Sequence, residues 1–515
     1  MNTKTEKLIT WICLALFLVI NVSTAALYPT IHSDEIMYTD PAVNLAWGEG
    51  FQSAAWPSQG KDEFWCSNTP LYSLMLSGWI KVGGFTPTVS RSLNYVLMVL
   101  ACLLLLGSLH RLRILTTPLS RIGFCVSMLT LFPFVYLYRL GRPDILAMTV
   151  CIMALSTMNI KRHRHRFITT LMAGALLPWA SLPSTIYTAF VCLVLWAVLR
   201  GPFFQRALVL AMGVVLGIVT LGVYLLSNGV LKHFLERTVG SGHSGAGRLA
   251  QMIVLGNNAF IVKLQDTFSS YIDAHTFYPY TTLFLFLGLA SLGLGFKRKP
   301  FKVSAPFIKI IVGIVILTPL CLSLAGKYTW HYVWMHYIPL LALFWHLTTQ
   351  ETSSEPQWER KAGIAMVFMG MLLGLPWVMH LTMEQYSERS HDRVTEFIDT
   401  HIAKGEWVVS DFGPYFALRN KGAVVLTTGY GGGFGLKEIP KSEQERVHRL
   451  ILRPGSLPKI KAKYGGEWIR EGHHLYSRPY DGHLGIRKEG VDHHDLRQYQ
   501  LELYKRVTPS PPPQP

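Results

Sequence analysis

His32-Ser33-Asp34-Glu35-Ile36-Met37-Tyr38 follows directly on the first long apolar run of the chain, residues 8–28. Two adjacent carboxylates stand where the chain should leave a membrane. Charged groups in such a place are costly unless they reach water or serve a function. The next residues, Asp40 to Phe51 (DPAVNLAWGEGF), read as one amphipathic helical stretch ending in a Gly turn. Asn68-Thr69-Pro70-Leu71-Tyr72 then forms a loop that leads into another apolar helix. Everything downstream reads as the scaffold that holds this loop in place.

The first apolar run follows Lys4 and Lys7 and is about 20 residues long, enough to span a bilayer. Ser23-Thr24-Ala25-Ala26 resembles a cleavage site, but the run is long for a signal-peptide core and more runs follow. Of the 515 residues, 50% are hydrophobic and 15% charged, against about 25% charged in soluble domains. The composition therefore expects a polytopic α-helical membrane protein with some soluble mass.

Further apolar runs lie at 88–109, 122–140, 143–160, 167–181, 183–199, 207–227, 278–296, 304–325, 331–348 and 362–381. With the first, about 11 transmembrane helices are expected. The net charge of +17 does not point to nucleic acid, because much of it sits in short clusters between these runs. Arg111, Arg113 and Arg121 form one cluster, and Lys161 to Arg166 (KRHRHR) and Arg200 to Arg206 form the next two. Lys297-Arg298-Lys299 with Lys302, and Arg360-Lys361, complete the set. They recur at every second connector, the pattern of cytoplasmic loops. The N-terminus is then cytoplasmic, and an odd number of spans leaves the C-terminus outside. The loop 29–87 shares that outer, periplasmic or extracellular face. The Lys161–Arg166 tract could bind a metal or an acidic lipid headgroup, but reads first as a solvated, orientation-setting loop.

Residues 1–381 thus form the transmembrane domain. Residues 382–508 change character: helical periodicity at 391–404, an apolar strand at 407–410, a helix at 414–419 and a strand at 423–426 predict a small outer-face α/β domain. A helix at about 442–452 and a last strand at 498–504 complete it, and the Pro-rich tail 509–515 is expected to be disordered. Thr428 to Gly435 and Gly240 to Gly247 are Gly-rich, but neither is followed by the Lys-Ser/Thr of a phosphate loop. Cys66 lies in a loop and the other six Cys lie in apolar runs, with no metal-ligand spacing.

Three polar clusters fall on the predicted outer face. Asp34 and Glu35 diverge by about 100° if helical, so they do not act on one atom. A carboxylate partly removed from water can serve as a general base. Tyr138-Arg139-Leu140-Gly141-Arg142-Pro143-Asp144 forms an outer turn whose arginines could neutralise a phosphate, with Pro143 and Asp144 suited to a helix start. Lys327-Tyr328-Thr329-Trp330-His331-Tyr332, with His336 one turn on, joins basic groups to interfacial aromatics.

Asp34-Glu35-x-x-Tyr38, Ala42 to Phe51 with Gly48 and Gly50, Thr69-Pro70-Leu71-Tyr72 and Arg91 together resemble the first outer loop of the GT-C glycosyltransferases. The likeness is greatest to the family 39 type, which includes polyprenyl-phosphate-mannose protein mannosyltransferases and aminoarabinose lipid A transferases. Gly141-Arg142-Pro143-Asp144 and Lys327 to Pro339 resemble two further motifs of that family. Where relatives often carry Lys-Pro-Pro, this chain has Asn68-Thr69-Pro70.

The resemblance implies inverting transfer of a sugar from a polyprenyl-phosphate donor to an acceptor hydroxyl on the outer face of a cell membrane, such as a bacterial inner membrane. Asp34 would be the base, and Glu35 and Asp144 would shape the site. Arg139, Arg142 or Lys327 would hold the donor phosphate, with His331 and Tyr72 as further substrate contacts. The acceptor would be a glycan, a lipid or a protein. No cofactor is certain, because paired carboxylates fit Mg²⁺ or Mn²⁺ as well as no metal. A flippase or other transporter of a lipid-linked substrate would show paired halves and broken spans, and neither is visible in the sequence. A non-catalytic membrane scaffold is the remaining alternative.

Overall fold

The computed structural model describes residues 3–56, 59–200, 203–237, 265, 269–298, 305–325, 330–348, 358–430, 438–475 and 499–507. Lys327, the Gly-rich stretch 240–247, most of the one at 428–435 and the Pro-rich tail lie outside the described residues.

The helices that frame the loop are α1 (Thr3–Ser23), α2 (Ser33–Trp47), α3 (Leu71–Gly83) and α4 (Pro87–Arg111). They are followed by α5 (Pro118–Thr130), α6 (Phe132–Arg139), α7 (Asp144–Thr157), α8 (His163–Ala180), α9 (Leu182–Leu199) and α10 (Phe203–Ser227). Helices Pro279–Arg298, Ala305–Ala325, Trp334–Leu347, Trp358–Leu372 and Leu375–Glu384 complete the membrane body.

Each expected apolar run carries a helix, but their lengths differ from the expectation. Among the described residues, five helices are long and apolar enough to cross a membrane: Lys4–Ser23, Pro87–Arg111, Leu182–Leu199, Phe203–Ser227 and Trp358–Glu384. Two bent pairs raise the number to seven. Helix α7 has 14 residues, or about 21 Å at 1.5 Å per residue, short of a bilayer core of about 30 Å. The expectation of unbroken spans also fails. Helices α5 and α6 meet at 55°, and Ser269–Thr276 meets Pro279–Leu294 at 95°. Pro133 at the start of α6 explains the first break, because proline supplies no N–H to continue the helix.

The C-terminal part holds a five-stranded sheet in the order β2-β1-β3-β5-β4. The strands are β1 (Trp407–Ser410), β2 (Val424–Thr427), β3 (Arg449–Leu452), β4 (Trp468–Leu475) and β5 (Leu501–Arg506). Strand β1 pairs in parallel with β2 and β3, while β5 runs antiparallel to β3 and β4. The expected helix over 442–452 is corrected: Lys441–Arg446 is helical, and Arg449–Leu452 is β3. Leu450, Ile451 and Leu452 are all fully buried, and an apolar run buried on both faces belongs in a sheet interior. Strand β4 was not anticipated, because Trp468 to Leu475 (WIREGHHL) alternates poorly and lies exposed at the sheet edge.

The sheet does not hang free. The helix Tyr415–Lys421, which follows β1, packs on the loop 29–87. The Tyr415 hydroxyl donates to the buried Asp40 carboxylate, which also accepts from Ser53 Oγ and Ala54 N at 2.7 Å each. Arg419 donates to Asn44 Oδ1 at 2.7 Å and Glu49 Oε2 at 2.6 Å. The Phe85 and Phe416 rings stack at 4.7 Å. The candidate loop is therefore clamped between the membrane helices and the sheet.

Candidate active site

Helix α2 begins at Ser33, so Asp34 and Glu35 sit in its first turn, where carboxylates suit the positive end of the helix dipole. The His32 ring accepts the Asp34 backbone N–H at 3.2 Å. One residue apart on a helix, the two carboxylates point different ways, and their surroundings differ completely.

Glu35 points inward. Arg91 of α4 grips it in a two-pronged fork, Nε to Oε1 at 2.7 Å and Nη2 to Oε2 at 2.6 Å, with both side chains 0% exposed. The third nitrogen, Nη1, donates to the carbonyls of Ala25 and Pro29 at 2.6 and 2.8 Å. This fork ties α2, α4 and the end of the first apolar run into one unit. Glu35 reaches no solvent.

Asp34 points toward the turn 141–144. Arg142 bridges Asp34 and Asp144: its Nη1 pairs with Asp34, and its Nε donates to Asp144 Oδ2 at 2.8 Å. Side-chain exposure falls from 33% at Asp34 to 11% at Arg142 and 8% at Asp144. Asp34 is thus the carboxylate open to an incoming molecule, and Asp144 lies behind it. Gly141 makes the approach feasible. Its φ is +65°, and a Cβ there would sit 2.8 Å from Glu35 Cγ, so any side chain would push the turn away from α2. Asn94 Nδ2 donates to the Arg142 carbonyl at 3.1 Å and fixes the turn to α4.

The rim is aromatic and polar. Asn68 Nδ2 donates to the Tyr38 hydroxyl at 2.6 Å, Ser73 Oγ to the Tyr38 carbonyl at 3.0 Å and Thr69 Oγ1 to the Ala180 carbonyl at 3.0 Å. The Asn68-Thr69-Pro70 loop is thereby fastened to both α2 and α8. Tyr332, in the short turn Trp330–Tyr332, lies within electrostatic reach of Asp144 and Arg142. His331 is half-buried in the same turn.

Three expectations change. Arg139 cannot meet a donor phosphate: it is 0% exposed, and its nitrogens donate to Tyr28 O at 3.0 Å, Asn21 Oδ1 at 2.6 Å and Thr24 O at 2.8 Å. It holds the end of α1 instead. Arg142 is engaged by two carboxylates, so it positions them rather than standing open as a phosphate clamp. Tyr72 is also 0% exposed, its ring 6.0 Å from that of Tyr38, and it offers no surface to a substrate.

Asp34 and Asp144 are the carboxylates that could share a cation, with Arg142 already between them. Among the described residues, no group of three or more His, Cys, Asp or Glu side chains converges on one point. Arg91 stands in the loop motif without a role legible there, and Asn94 lies outside the motif. The signal for Arg91 was an arginine in an otherwise apolar helix, which needs a partner.

Behind the fork lies His391, at the start of the helix His391–His401, close to Arg91, Asp392 and the rings of Phe416 and Tyr499. Burial, with Arg91 adding to it, pushes the imidazole down from 6.5 to about 4. The unfolded chain then binds this proton more readily than the folded one. The stability linked to neutral His391 is complete above about pH 6.5 and is lost as pH falls toward 4. The melting temperature of wild type should therefore drop more between pH 7.5 and 5 than that of His391→Gln. Equal drops would assign the acid sensitivity to other groups.

This bent helical body, with a small sheet packed on its first loop, shares its fold with solved structures that match the chain from end to end. ArnT from Cupriavidus metallidurans bound to undecaprenyl phosphate is similar at a TM-score of 0.57 and 12% identity, over 98% of this chain and 99% of that one. Its apo form is similar at 0.59, again at 12% identity and with the same coverage. The mycobacterial arabinofuranosyltransferase AftD is a looser likeness, at a TM-score of 0.49 and 13% identity over 99% of this chain and 40% of that one. Compared by sequence, the chain matches no family model and no curated protein.

Proposed function

We propose that this chain is an integral-membrane glycosyltransferase that moves a sugar from a polyprenyl-phosphate donor to an acceptor hydroxyl on the outer face, with inversion. The observation that carries the reading is the solvent-open Asp34 carboxylate held with Asp144 on one arginine, in a chain of ArnT-like fold. ArnT was solved with undecaprenyl phosphate bound, which supports a polyprenyl phosphate as the lipid partner here.

In this mechanism Asp34 takes the proton from the acceptor hydroxyl as its oxygen attacks the anomeric carbon. The bond from that carbon to the phosphate oxygen breaks, and polyprenyl phosphate leaves as an anion. An anionic leaving group needs positive charge rather than an acid. Lys327 and His331 are the proposed donor-phosphate contacts, in preference to the buried Arg139. Arg142 aims Asp34, and Asp144 keeps Arg142 in place. Glu35 shapes the site through Arg91.

The test is incubation of the purified chain with undecaprenyl-phosphate sugars, reading released undecaprenyl phosphate, beside mass spectrometry of lipid-linked sugars in a deletion strain. A stranded donor should accumulate in that strain. Absence of both turnover and accumulation would overturn the proposal. The proposed orientation places the N-terminus inside and the sheet outside. Reporter fusions after Arg166 should read cytoplasmic, and fusions after Gly435 should read outer. The reverse pair would remove Asp34 from the outer face.

A further inference from the structure

Helices α8 and α10 run parallel and touch backbone to backbone. A Cβ at Gly213 would lie 2.3 Å from the Leu171 carbonyl oxygen, one at Gly174 2.6 Å from that of Leu210, and one at Gly217 2.3 Å from that of Ala175. Small residues at such positions let helices in a membrane approach closely. The contact sets the two N-terminal turns side by side at the basic end of the helix pair, where both helix dipoles present positive charge.

Between those turns lies a cavity of about 70 Å³, lined by His163, Arg166, Phe167 and Thr170 from α8 and by Gln205 and Arg206 from α10. It has room for several waters or for a phosphate group in their place. Arg166 and Arg206 repel each other across it. Among the described residues neither is paired with a carboxylate, and the Arg166 guanidinium donates to the Ile160 carbonyl at 3.2 Å. Thr170 is 1% exposed, and its hydroxyl has no hydrogen-bond partner among the described residues. Helix α8 begins without a side-chain cap. Two guanidiniums without a carboxylate partner and an unpartnered buried hydroxyl line one space near the positive ends of two helices, and a buried polar group left without a partner is costly. An anion resolves all of these features at once.

We propose that this cavity binds a phosphate group, as carried by an anionic membrane lipid. Phe167, in the wall of the cavity, is 39% exposed, an apolar surface along which an acyl chain can lie. The site is separate from the Asp34 centre, which lies beyond the opposite end of α8, where Thr69 bonds to Ala180.

The experiment uses the full chain in detergent with phosphatidylcholine and a fluorescent phosphatidylglycerol, with inorganic phosphate as competitor. Wild type should bind the phosphatidylglycerol, and Arg166→Ala/Arg206→Ala should bind it at least about tenfold more weakly. Removing two like charges relieves repulsion, so this variant should fold, and an unchanged melting temperature checks that it does. Thr170→Val should also weaken binding, by a smaller factor. Lys161→Ala/Arg164→Ala, which removes exposed basic groups outside the cavity, should bind nearly as wild type. Competition by millimolar inorganic phosphate would identify a free phosphate as sufficient, and no competition would assign the site to the lipid. Equal binding by wild type and the Arg166/Arg206 variant would overturn the proposal. So would an equal loss in the Lys161/Arg164 variant, which would reduce the site to a diffuse basic surface.

Discussion

Asp34→Asn should lower turnover at least about a hundredfold while leaving donor binding nearly intact. The substitution keeps the size and hydrogen-bonding reach of the side chain and removes its charge. Sugar transfer to a hydroxyl needs that proton taken up as the bond forms, and a positioned base contributes typically about 10²–10⁴-fold. Asp34 is the carboxylate of the cluster with a third of its side chain open, whereas Asp144 is 8% exposed. Arg142 retains Asp144 as a partner in the variant, so the turn 141–144 should keep its place. A turnover assay beside calorimetric titration with a lipid-phosphate sugar separates loss of chemistry from loss of binding. Normal turnover by Asp34→Asn, with loss in Asp144→Asn, would move the base to Asp144. Normal turnover by both would end the glycosyltransferase reading of this loop.

Arg91→Ala should destabilise the protein by about 3–5 kcal/mol, the cost of leaving a buried charge without its partner. Glu35 accepts two hydrogen bonds from this one guanidinium at 0% exposure. The same substitution frees the Ala25 and Pro29 carbonyls, so the exit of the first apolar run should loosen as well. The expected result is a large fall in melting temperature and poor recovery from membranes. The double variant Glu35→Met/Arg91→Met removes both charges and should regain much of the stability, because apolar replacement of a whole buried pair is often neutral. A single variant as stable as wild type would show that the fork does not hold the loop.

That the chain is a polytopic membrane protein was legible because it rests on local properties, whereas the breaks and short helices that change the span count were not. About 20 consecutive apolar residues span a bilayer whatever the rest of the chain does, and basic connectors between them are countable. Strands β1 and β2 were readable for the same reason, as short apolar runs between helical stretches. Strand β3 was not, because Arg449 to Leu452 (RLIL) directly follows a charged helical segment, and its burial between β1 and β5 is a property of the assembled sheet.

By itself the sequence determined that Asp34 and Glu35 would diverge, since a helix separates neighbours by about 100°. Which of the two faced solvent was decided only by Arg91, 56 residues away, taking Glu35 inward. Arg139 and Arg142 flank one turn and are equivalent on paper as phosphate ligands. Packing buried the first against α1 and left the second, beyond the positive-φ Gly141, between two carboxylates. The clamp of Tyr415 on Asp40 joins residues 375 positions apart. Periodicity reports which side chains share a face, while the partner each face meets is set by how distant helices and strands pack, and only the tertiary structure contains that.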